Sequence, residues 1–161
     1  MNLIVNVSEN WAIGKGNSLL FHLSQDMKFF KAHTSGKTVV MGRKTLESLP
    51  GGKPLPNRKN IVLTRNTDYN PDGVTVYNSI EDFLSNTPDS DDVYVIGGES
   101  LYRDLLPYCT KAFVTKVDAT VDDADAFMVN LDSHSDWEIE ETSDEFEEKG
   151  YTFRFVTYKK K

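Results

Sequence analysis

This chain of 161 residues has a single cysteine, no long apolar run and no clustered histidines. With Cys109 alone, it cannot form an internal disulfide framework or a zinc site built from cysteine pairs. The three histidines stand far apart and lack the spacing of metal ligands. No apolar run exceeds about five residues, which is too short to span a membrane, and the first residues show no basic segment typical of a signal peptide. We therefore expect a cytoplasmic protein without a metal site.

Positive charge is missing from one long stretch and concentrated in another. Residues 118–148 carry 13 Asp and Glu and no Lys or Arg, whereas residues 15–65 carry ten Lys and Arg against two acids, a local net of +8. The overall net charge of −7 argues against general nucleic-acid binding. The acidic stretch is typical of a solvated surface, whereas the basic stretch suggests a small anionic ligand.

Short apolar segments alternate with helical stretches, and the length fits one domain over residues 1–161. Continuous apolar strands separated by helices predict a parallel sheet covered on both faces. The predicted strands are Leu3–Val7, Thr38–Gly42, Asn60–Thr64, Val74–Tyr77, Val93–Ile96 and Lys111–Val117, with an antiparallel hairpin of Trp137–Thr142 and Tyr151–Tyr158. The predicted helices begin at Ser24, Arg43, Ser79 and Glu99, with Ser24 and Ser79 as N-caps, and residues 8–23 are expected to form a long loop.

Two glycine motifs follow predicted strands, where ligands of such sheets bind. In the segment Gly42–Thr45, two cations open a helix against its dipole, and a phosphate would remove that conflict. A tolerated surface pair explains the two cations equally well. Thr64 and Arg65 end the next strand and add a third cation at the same edge, which favours a phosphorylated cofactor. The Gly97-Gly98 pair opens another helix, although such pairs are also common in turns.

One carboxylate and one arginine are further candidates. Asp26 lies on the apolar stripe of its helix with Leu23 and Phe30, and no cation lies at helical spacing from it. A carboxylate in an apolar pocket has a raised pKa and can hold or relay a proton near neutrality. The alternative is an ordinary aspartate favoured by the helix dipole. Arg58 follows a proline-rich loop and suits the grip of a carboxylate, although a solvated basic loop is the commoner case.

Seven segments match a known family in order and spacing, over nearly the whole chain. They are Ile13-Gly14 with Asn17, Leu23 to Lys31, Val40 to Thr45, Pro54 to Leu63, Ile96 to Tyr102, Thr115, and Asp125 to Phe127. Together they resemble dihydrofolate reductase. The resemblance implies an α/β fold with a central eight-stranded, mostly parallel sheet, an antiparallel C-terminal edge and about four flanking helices.

The resemblance also implies a reaction and its partners. The reaction is the NADPH-dependent reduction of 7,8-dihydrofolate to 5,6,7,8-tetrahydrofolate for one-carbon metabolism, with hydride passing to C6 and a proton to N5. The cofactor is NADPH, whose hydride chemistry leaves the protein to supply orientation, a proton route and a dry pocket. Antifolates such as trimethoprim or methotrexate are the implied inhibitors, and the family suggests a monomer.

Three sets of site residues follow from the resemblance. The catalytic set is Asp26, Thr115 and Phe21. The substrate-binding set is Ile4, Val5, Asp26, Met27, Phe30, Lys31, Leu49, Leu55, Arg58, Ile96, Tyr102 and Thr115. The cofactor-binding set is Asn6, Ile13, Gly14, Asn17, Ser18, Leu19, Gly42, Arg43, Lys44, Thr45, Leu63, Thr64, Arg65, Ile96, Gly97, Gly98, Glu99, Ser100, Leu101 and Tyr102. Residues 8–23 would act as a lid over the nicotinamide.

The chain departs from the family pattern at a few positions. Leu20 and Phe21 replace the usual Pro-Trp, Ser24 replaces a proline, and Asn6 stands where a small apolar residue is usual. We expect altered turnover or antifolate affinity from these changes. The spacing near Asp125 is ambiguous by one residue, so the sequence leaves open its contact with the lid.

Three other functions compete with this interpretation. The chain could be an NADPH-dependent reductase of the same fold acting on another heterocycle, such as a riboflavin-pathway pyrimidine. Asp26, Phe30 and Arg58 argue against that substrate because they match the grip on a pteridine and its glutamate. The chain could also be a non-catalytic folate- or nucleotide-binding module, against which the intact Asp26 argues. An antifolate-resistant form is the third alternative, which the sequence cannot rank.

Overall fold

The computed structural model describes residues 1–161, which form four α-helices and twelve strands. The helices are α1 (Ser24–Thr34), α2 (Arg43–Ser48), α3 (Ile80–Asn86) and α4 (Glu99–Leu105). The strands are β1 (Asn2–Val7), β2 (Ala12–Lys15), β3 (Ser18–Leu19), β4 (Thr38–Gly42), β5 (Lys59–Leu63), β6 (Val74–Tyr77), β7 (Val93–Gly97), β8 (Lys111–Val117), β9 (Ala126–Phe127), β10 (Trp137–Thr142), β11 (Phe146–Glu148) and β12 (Tyr151–Lys160). None of the helices has the length and apolar character needed to cross a membrane.

The main sheet has the predicted mixed architecture. Its strand order is β10-β12-β8-β1-β7-β4-β5-β6, and the six strands from β8 to β6 run parallel. β12 pairs antiparallel with β8 and with β10, which forms the predicted antiparallel edge. β11 adds a short ninth strand beside β12. The eight-stranded path and the four helices confirm the predicted fold.

The parallel strands are apolar because both of their faces are covered. Val39, Val40 and Met41 of β4 are fully buried, as are Ile61 and Val62 of β5. The largest buried cluster contains 22 residues and includes side chains of β1, β7 and β8. This core holds the carboxyl ends of β1, β4, β5, β7 and β8 together at one edge of the sheet, so the side chains that follow them are fixed relative to one another.

The prediction that residues 8–23 form a long loop is wrong, because this segment contains β2 and β3. β2 and β3 form a tight hairpin in which Gly14 pairs with Leu19 and Lys15 pairs with Ser18. The two turn residues, Gly16 and Asn17, have φ of 58° and 62°. Positive φ at both central residues is the requirement of the hairpin turn whose twist matches the flanking strands. Glycine and asparagine are the residues that adopt this conformation most readily.

The predicted N-cap of α1 is also wrong. Leu23 occupies the cap position, so Ser24 is already the first helical residue. The cap comes instead from Glu148 at the end of β11. Its Oε2 accepts a hydrogen bond from the Ser24 amide at 2.6 Å and its Oε1 accepts one from the Gln25 amide at 3.2 Å. A carboxylate here satisfies free N–H groups and interacts favourably with the helix dipole. The capping contact therefore ties α1, the helix that carries Asp26, to the β11–β12 hairpin.

We expect Glu148→Gln to lower Tm by a few degrees at pH 7. The amides of Ser24 and Gln25 hold the pKa of Glu148 below its ordinary value. Glu148 therefore stabilises the fold fully when the pH is above the ordinary glutamate pKa. This stabilisation is lost as the pH falls through the lowered pKa that Glu148 has in the folded protein. Thermal unfolding should show a smaller difference in Tm between the wild type and Glu148→Gln at pH 3 than at pH 7. Glu147→Gln, at the exposed neighbouring residue, is the control. A difference as large at pH 3 as at pH 7 would contradict this role.

Candidate active site

A cleft of about 830 Å³ opens at the carboxyl ends of β4, β5 and β7. Gly42 and Gly98 occupy the N-cap positions of α2 and α4 there, and neither helix has a side-chain cap. Gly97 has φ of 131°, a conformation open mainly to glycine, and its peptide bond to Gly98 is cis. A side chain at Gly97 would also meet Thr45 Oγ1 at 3.4 Å. The glycines thus leave bare backbone facing the cleft.

Eighteen of the twenty predicted cofactor-binding residues line this cleft. The two exceptions are Leu101, which packs into the main core, and Arg65, which is exposed beyond the end of β5. Val5, predicted for substrate, lines the cleft as well. Four lining residues were not predicted: Ser48, Arg103, Asp125 and Ala126.

The two cations of the first glycine motif differ in their surroundings. Arg43 Nε pairs with Glu47 Oε1 at 3.2 Å, one helical turn away, and its guanidinium lies over the Tyr69 ring at 4.4 Å. Lys44 is exposed, and only its carbonyl is engaged, by Asn17 Nδ2 at 3.0 Å. The Lys44 ammonium is therefore available to an anion in the cleft.

Asp26 is gripped by two donors from adjacent strands. Thr115 Oγ1 donates to Asp26 Oδ1 at 2.6 Å, and Asn6 Nδ2 donates to Asp26 Oδ2 at 2.7 Å. Asn6 of β1 and Thr115 of β8 are direct partners in the parallel ladder. Because partners in register project to the same face of a sheet, both donors reach the one carboxylate on α1. Asn6 also lines the cleft, which places Asp26 beside it.

The electrostatics of Asp26 agree with the sequence prediction. Burial raises the pKa of the Asp26 carboxyl, hydrogen bonds from Thr115 and Asn6 lower it, and the charge of Glu148 raises it again. The net result is a pKa above the ordinary aspartate value. Tyr102 is fully buried nearby and donates to the Ile4 carbonyl at 2.8 Å, and burial raises its own pKa. Asp26 is thus a carboxyl group suited to holding a proton.

The remaining predicted substrate residues fall into two groups. Leu49, Leu55 and Ile96 pack against the buried cluster of β4, α2 and β5. On α1, Phe30 is half-buried, whereas Met27 and Lys31 are exposed.

Arg58 is partly withdrawn from solvent, and burial lowers its pKa. Its Nε donates to the Pro56 carbonyl at 2.9 Å and its Nη1 donates to Thr34 Oγ1 at 3.2 Å. These bonds orient the guanidinium without neutralising it. The charge is left for an external anion, which is the arrangement that the sequence predicted for a carboxylate grip.

Phe21 lies away from the cleft. It is buried in a cluster with Leu23, Val117 and Phe153 and meets the Tyr151 ring edge-on at 5.1 Å between centroids. Its catalytic role stays a prediction, whereas its packing role is evident: it anchors the chain between the hairpin and α1.

The contact between Asp125 and the β2–β3 hairpin, which the sequence left open, is present. The Gly16 amide donates to Asp125 Oδ2 at 2.9 Å, and the Asp125 amide donates to the Gly14 carbonyl at 3.1 Å. Lys15 and Asp123 form an ion pair beside them. β2 also pairs with β9, which joins the hairpin to the acidic segment in a second, three-stranded sheet. The hairpin is therefore held over the cleft by residues more than a hundred positions away.

Four residues that line the cleft were absent from the predicted binding sets, although Asp125 and Ala126 belong to a segment that matches the family. Asp125 and Ala126 reach the cleft only because β9 pairs with β2, and the acidic run around them gave a solvated surface as the simplest interpretation. Ser48 and Arg103 lie on helices one turn or more beyond the glycine motifs. Helical spacing could have pointed to both, since Ser48 lies four residues after Lys44 and Arg103 lies four residues after Glu99, and residues four apart share a face of a helix.

The fold and the site define an α/β protein with a glycine-rich, cationic cleft beside one partly buried carboxylate. The dihydrofolate reductase family model matches residues 1–160. The dihydrofolate reductase of Neisseria meningitidis serogroup A is 40% identical over 158 residues, 98% of this chain and 96% of that protein. The Bacillus subtilis dihydrofolate reductase is 39% identical over 163 residues, covering 100% of this chain and 95% of that protein.

A solved structure gives the same result. The dihydrofolate reductase of Enterococcus faecalis, complexed with NADP(H) and RAB-propyl, superposes with a TM-score of 0.86 and 36% identity. The alignment covers 99% of this chain and 95% of that one. This chain belongs to the dihydrofolate reductase family.

We expect Asp125→Ala to loosen the hairpin. Losing a hydrogen bond to a charged acceptor should speed exchange of the Gly16 amide roughly tenfold. Native-state hydrogen exchange measured by NMR reads that amide directly. Asp122→Ala removes a nearby exposed carboxylate as the control. Equal exchange rates of the Gly16 amide in the wild type and Asp125→Ala would show that the contact does not hold the lid.

Proposed function

We propose that the cleft binds NADPH and that Asp26 holds the pterin ring of dihydrofolate beside it. As a member of its family, the chain is an NADPH-dependent oxidoreductase that reduces 7,8-dihydrofolate to 5,6,7,8-tetrahydrofolate for one-carbon metabolism. The single observation that carries the assignment of roles is the carboxylate of Asp26, whose two donors lie in register at the wall of the cleft.

The cleft fits a phosphorylated dinucleotide. Its volume of about 830 Å³ falls within the range of small-molecule sites. Gly97 and Gly98 let a ligand approach the backbone, and the uncapped starts of α2 and α4 favour negative charge. Arg43 and Lys44 would surround the adenosine 2′-phosphate. When bound, NADPH supplies the hydride for C6.

Asp26 supplies the proton side of the reaction. Its charged form accepts hydrogen bonds from the N3 and amino group of the pterin. Its raised pKa lets it retain a proton closer to neutrality than an ordinary aspartate and so promote protonation of N5. Thr115 orients Asp26 and is itself buried, so the carboxyl group keeps one rotamer.

The substrate body would lie between α1 and the α2 side of the sheet. Phe30 contributes from α1, and Leu49, Leu55 and Ile96 contribute the opposing apolar wall. Arg58 would grip the α-carboxylate of the glutamate tail, because its guanidinium is oriented by Pro56 and carries no paired carboxylate.

The β2–β3 hairpin would act as the lid. It lines the cleft through Gly14, Asn17, Ser18 and Leu19, and Leu19 is 61% exposed, large for an apolar side chain. Closure over bound cofactor would cover Leu19 and exclude water from the transferring hydride.

We further propose that the chain works as one domain over residues 1–161, as a cytoplasmic monomer. The unbroken main sheet supports the single domain, since strands from both ends of the sequence meet in it. Cys109 is buried and unpaired, which fits a reducing compartment. Antifolates such as trimethoprim or methotrexate would compete for the Asp26 pocket.

We expect Asp26→Asn to reduce turnover about 100-fold or more at pH 7, because general acid–base groups contribute on that scale. Asparagine keeps the shape of the side chain but cannot hold the proton. The loss of NADPH absorbance on adding dihydrofolate measures turnover, and NADPH fluorescence titration checks that cofactor binding survives. Turnover within about threefold of the wild type, with binding intact, would overturn the role of Asp26.

We expect Lys44→Ala to raise the KM for NADPH about tenfold, the scale of one charge-assisted hydrogen bond. The KM for NADH should change little, because NADH lacks the 2′-phosphate. Lys159→Ala, at an exposed lysine on β12, is the control. Equal losses with the two cofactors would place Lys44 elsewhere than at the 2′-phosphate.

A further inference from the structure

Asn6 joins the cleft to the partly buried carboxylate of Asp26. Among the residues that line the cleft, Asn6 alone hydrogen-bonds Asp26, with Nδ2 2.7 Å from Oδ2. Its neighbours Val5 and Val7 on β1 are buried and apolar, so the carboxamide stands out as the one polar side chain at the inner end of this strand. Both oxygens of Asp26 are consequently engaged within the chain, Oδ1 by Thr115 and Oδ2 by Asn6.

Resting on the function proposed above, we propose that Asn6 is a positioning residue that keeps Asp26 in its charged, pterin-gripping form and so sets the pH range of hydride transfer. The two donors do not have the same freedom. Thr115 is a hydroxyl, which can turn and accept a proton from a neutral Asp26. The Nδ2 of Asn6 can only donate, and it therefore favours the carboxylate over the acid.

The groups around Asp26 act in opposite directions. Burial raises its pKa, Thr115 and Asn6 lower it, and Glu148, which reaches α1 from β11, raises it. Tyr102, from α4, is the other titratable neighbour, and it stays neutral because burial raises its own pKa. No cation appears among the influences on Asp26. Asn6 and Thr115 are thus the groups that oppose burial, and Asn6 is the one that a substitution can remove without touching the family's Asp–Thr pair.

The direction of the effect follows from this. With Asn6 present, Asp26 gives up its proton at a lower pH than burial alone dictates. Hydride transfer, which needs the proton for N5, then declines at a lower pH. Removing the donor destabilises the charged form, so the decline should move to higher pH. Asn6 therefore lowers the fraction of Asp26 that is protonated at alkaline pH, and it favours the charged form that binds the pterin.

The test is the pH profile of hydride transfer in single turnovers, followed by stopped-flow fluorescence of NADPH with dihydrofolate. Asn6→Ala removes the carboxamide, and Asn6→Leu removes the donor while keeping nearly the same volume. The matched control is Asn86→Ala. This substitution removes an exposed carboxamide at the end of α3, which donates to the Asp82 carbonyl at 2.8 Å and does not line the cleft. NADPH titration verifies that each variant is folded.

Both Asn6 variants should shift the midpoint of the pH profile of hydride transfer to higher pH, while Asn86→Ala leaves that midpoint in place. Each hydride-transfer rate is divided by the rate that the same protein reaches at its acid plateau. At a pH above the wild-type midpoint, this ratio should be about three- to tenfold higher in each Asn6 variant than in the wild type, which is the scale of one hydrogen bond to a charged group. An unchanged or lowered midpoint in either folded variant would overturn the role of Asn6. A wild type that binds NADPH but transfers no hydride to dihydrofolate would instead overturn the proposed function.

Discussion

The site depends on one carboxylate held between two neighbouring strands. Asp26 alone among the residues of α1 is met by donors from both β1 and β8. Those donors coincide because the two strands are parallel and in register at Asn6 and Thr115. A slip of one residue in that pairing would turn one donor to the opposite face. The buried core of β1, β7 and β8 therefore also fixes the position of the Asp26 carboxyl group.

The contacts that hold the β2–β3 hairpin and the start of α1 come from the acidic C-terminal half. Asp125 holds the β2–β3 hairpin over the cleft, and Glu148 caps α1 beneath Asp26. Their charges are placed against backbone amides rather than against lysines. Acidic side chains thus position both the hairpin beside the cleft and the helix that carries Asp26. Arg43, Lys44 and Arg103 line the cleft itself, so cations face it although the chain has a net charge of −7.

Local patterns predicted the parts of the structure that local forces determine. The apolar runs of β4 and β5 predicted a buried parallel sheet, and Ser79 caps α3 as expected, accepting from the Asp82 amide at 3.0 Å. The cap on α1 was missed because Glu148, whose carboxylate accepts from the Ser24 amide, is 124 residues away in the sequence. The hairpin was missed because its turn, Gly16-Asn17, interrupts strands of only four and two residues. The hydrogen bond of Asn6 to Asp26 depends on register, which composition and spacing do not reveal.

The central claim is that Asp26 keeps a proton to higher pH than an ordinary aspartate. The most direct measurement is a ¹³C NMR titration of the Asp26 side-chain carboxyl in the wild-type protein, assigned by comparison with Asp26→Asn. The structure predicts a titration midpoint above the ordinary aspartate pKa of 3.8, because burial outweighs the two hydrogen bonds. A midpoint at or below that value would show that the donors dominate, and Asp26 could not then serve as the proton-holding group of the site.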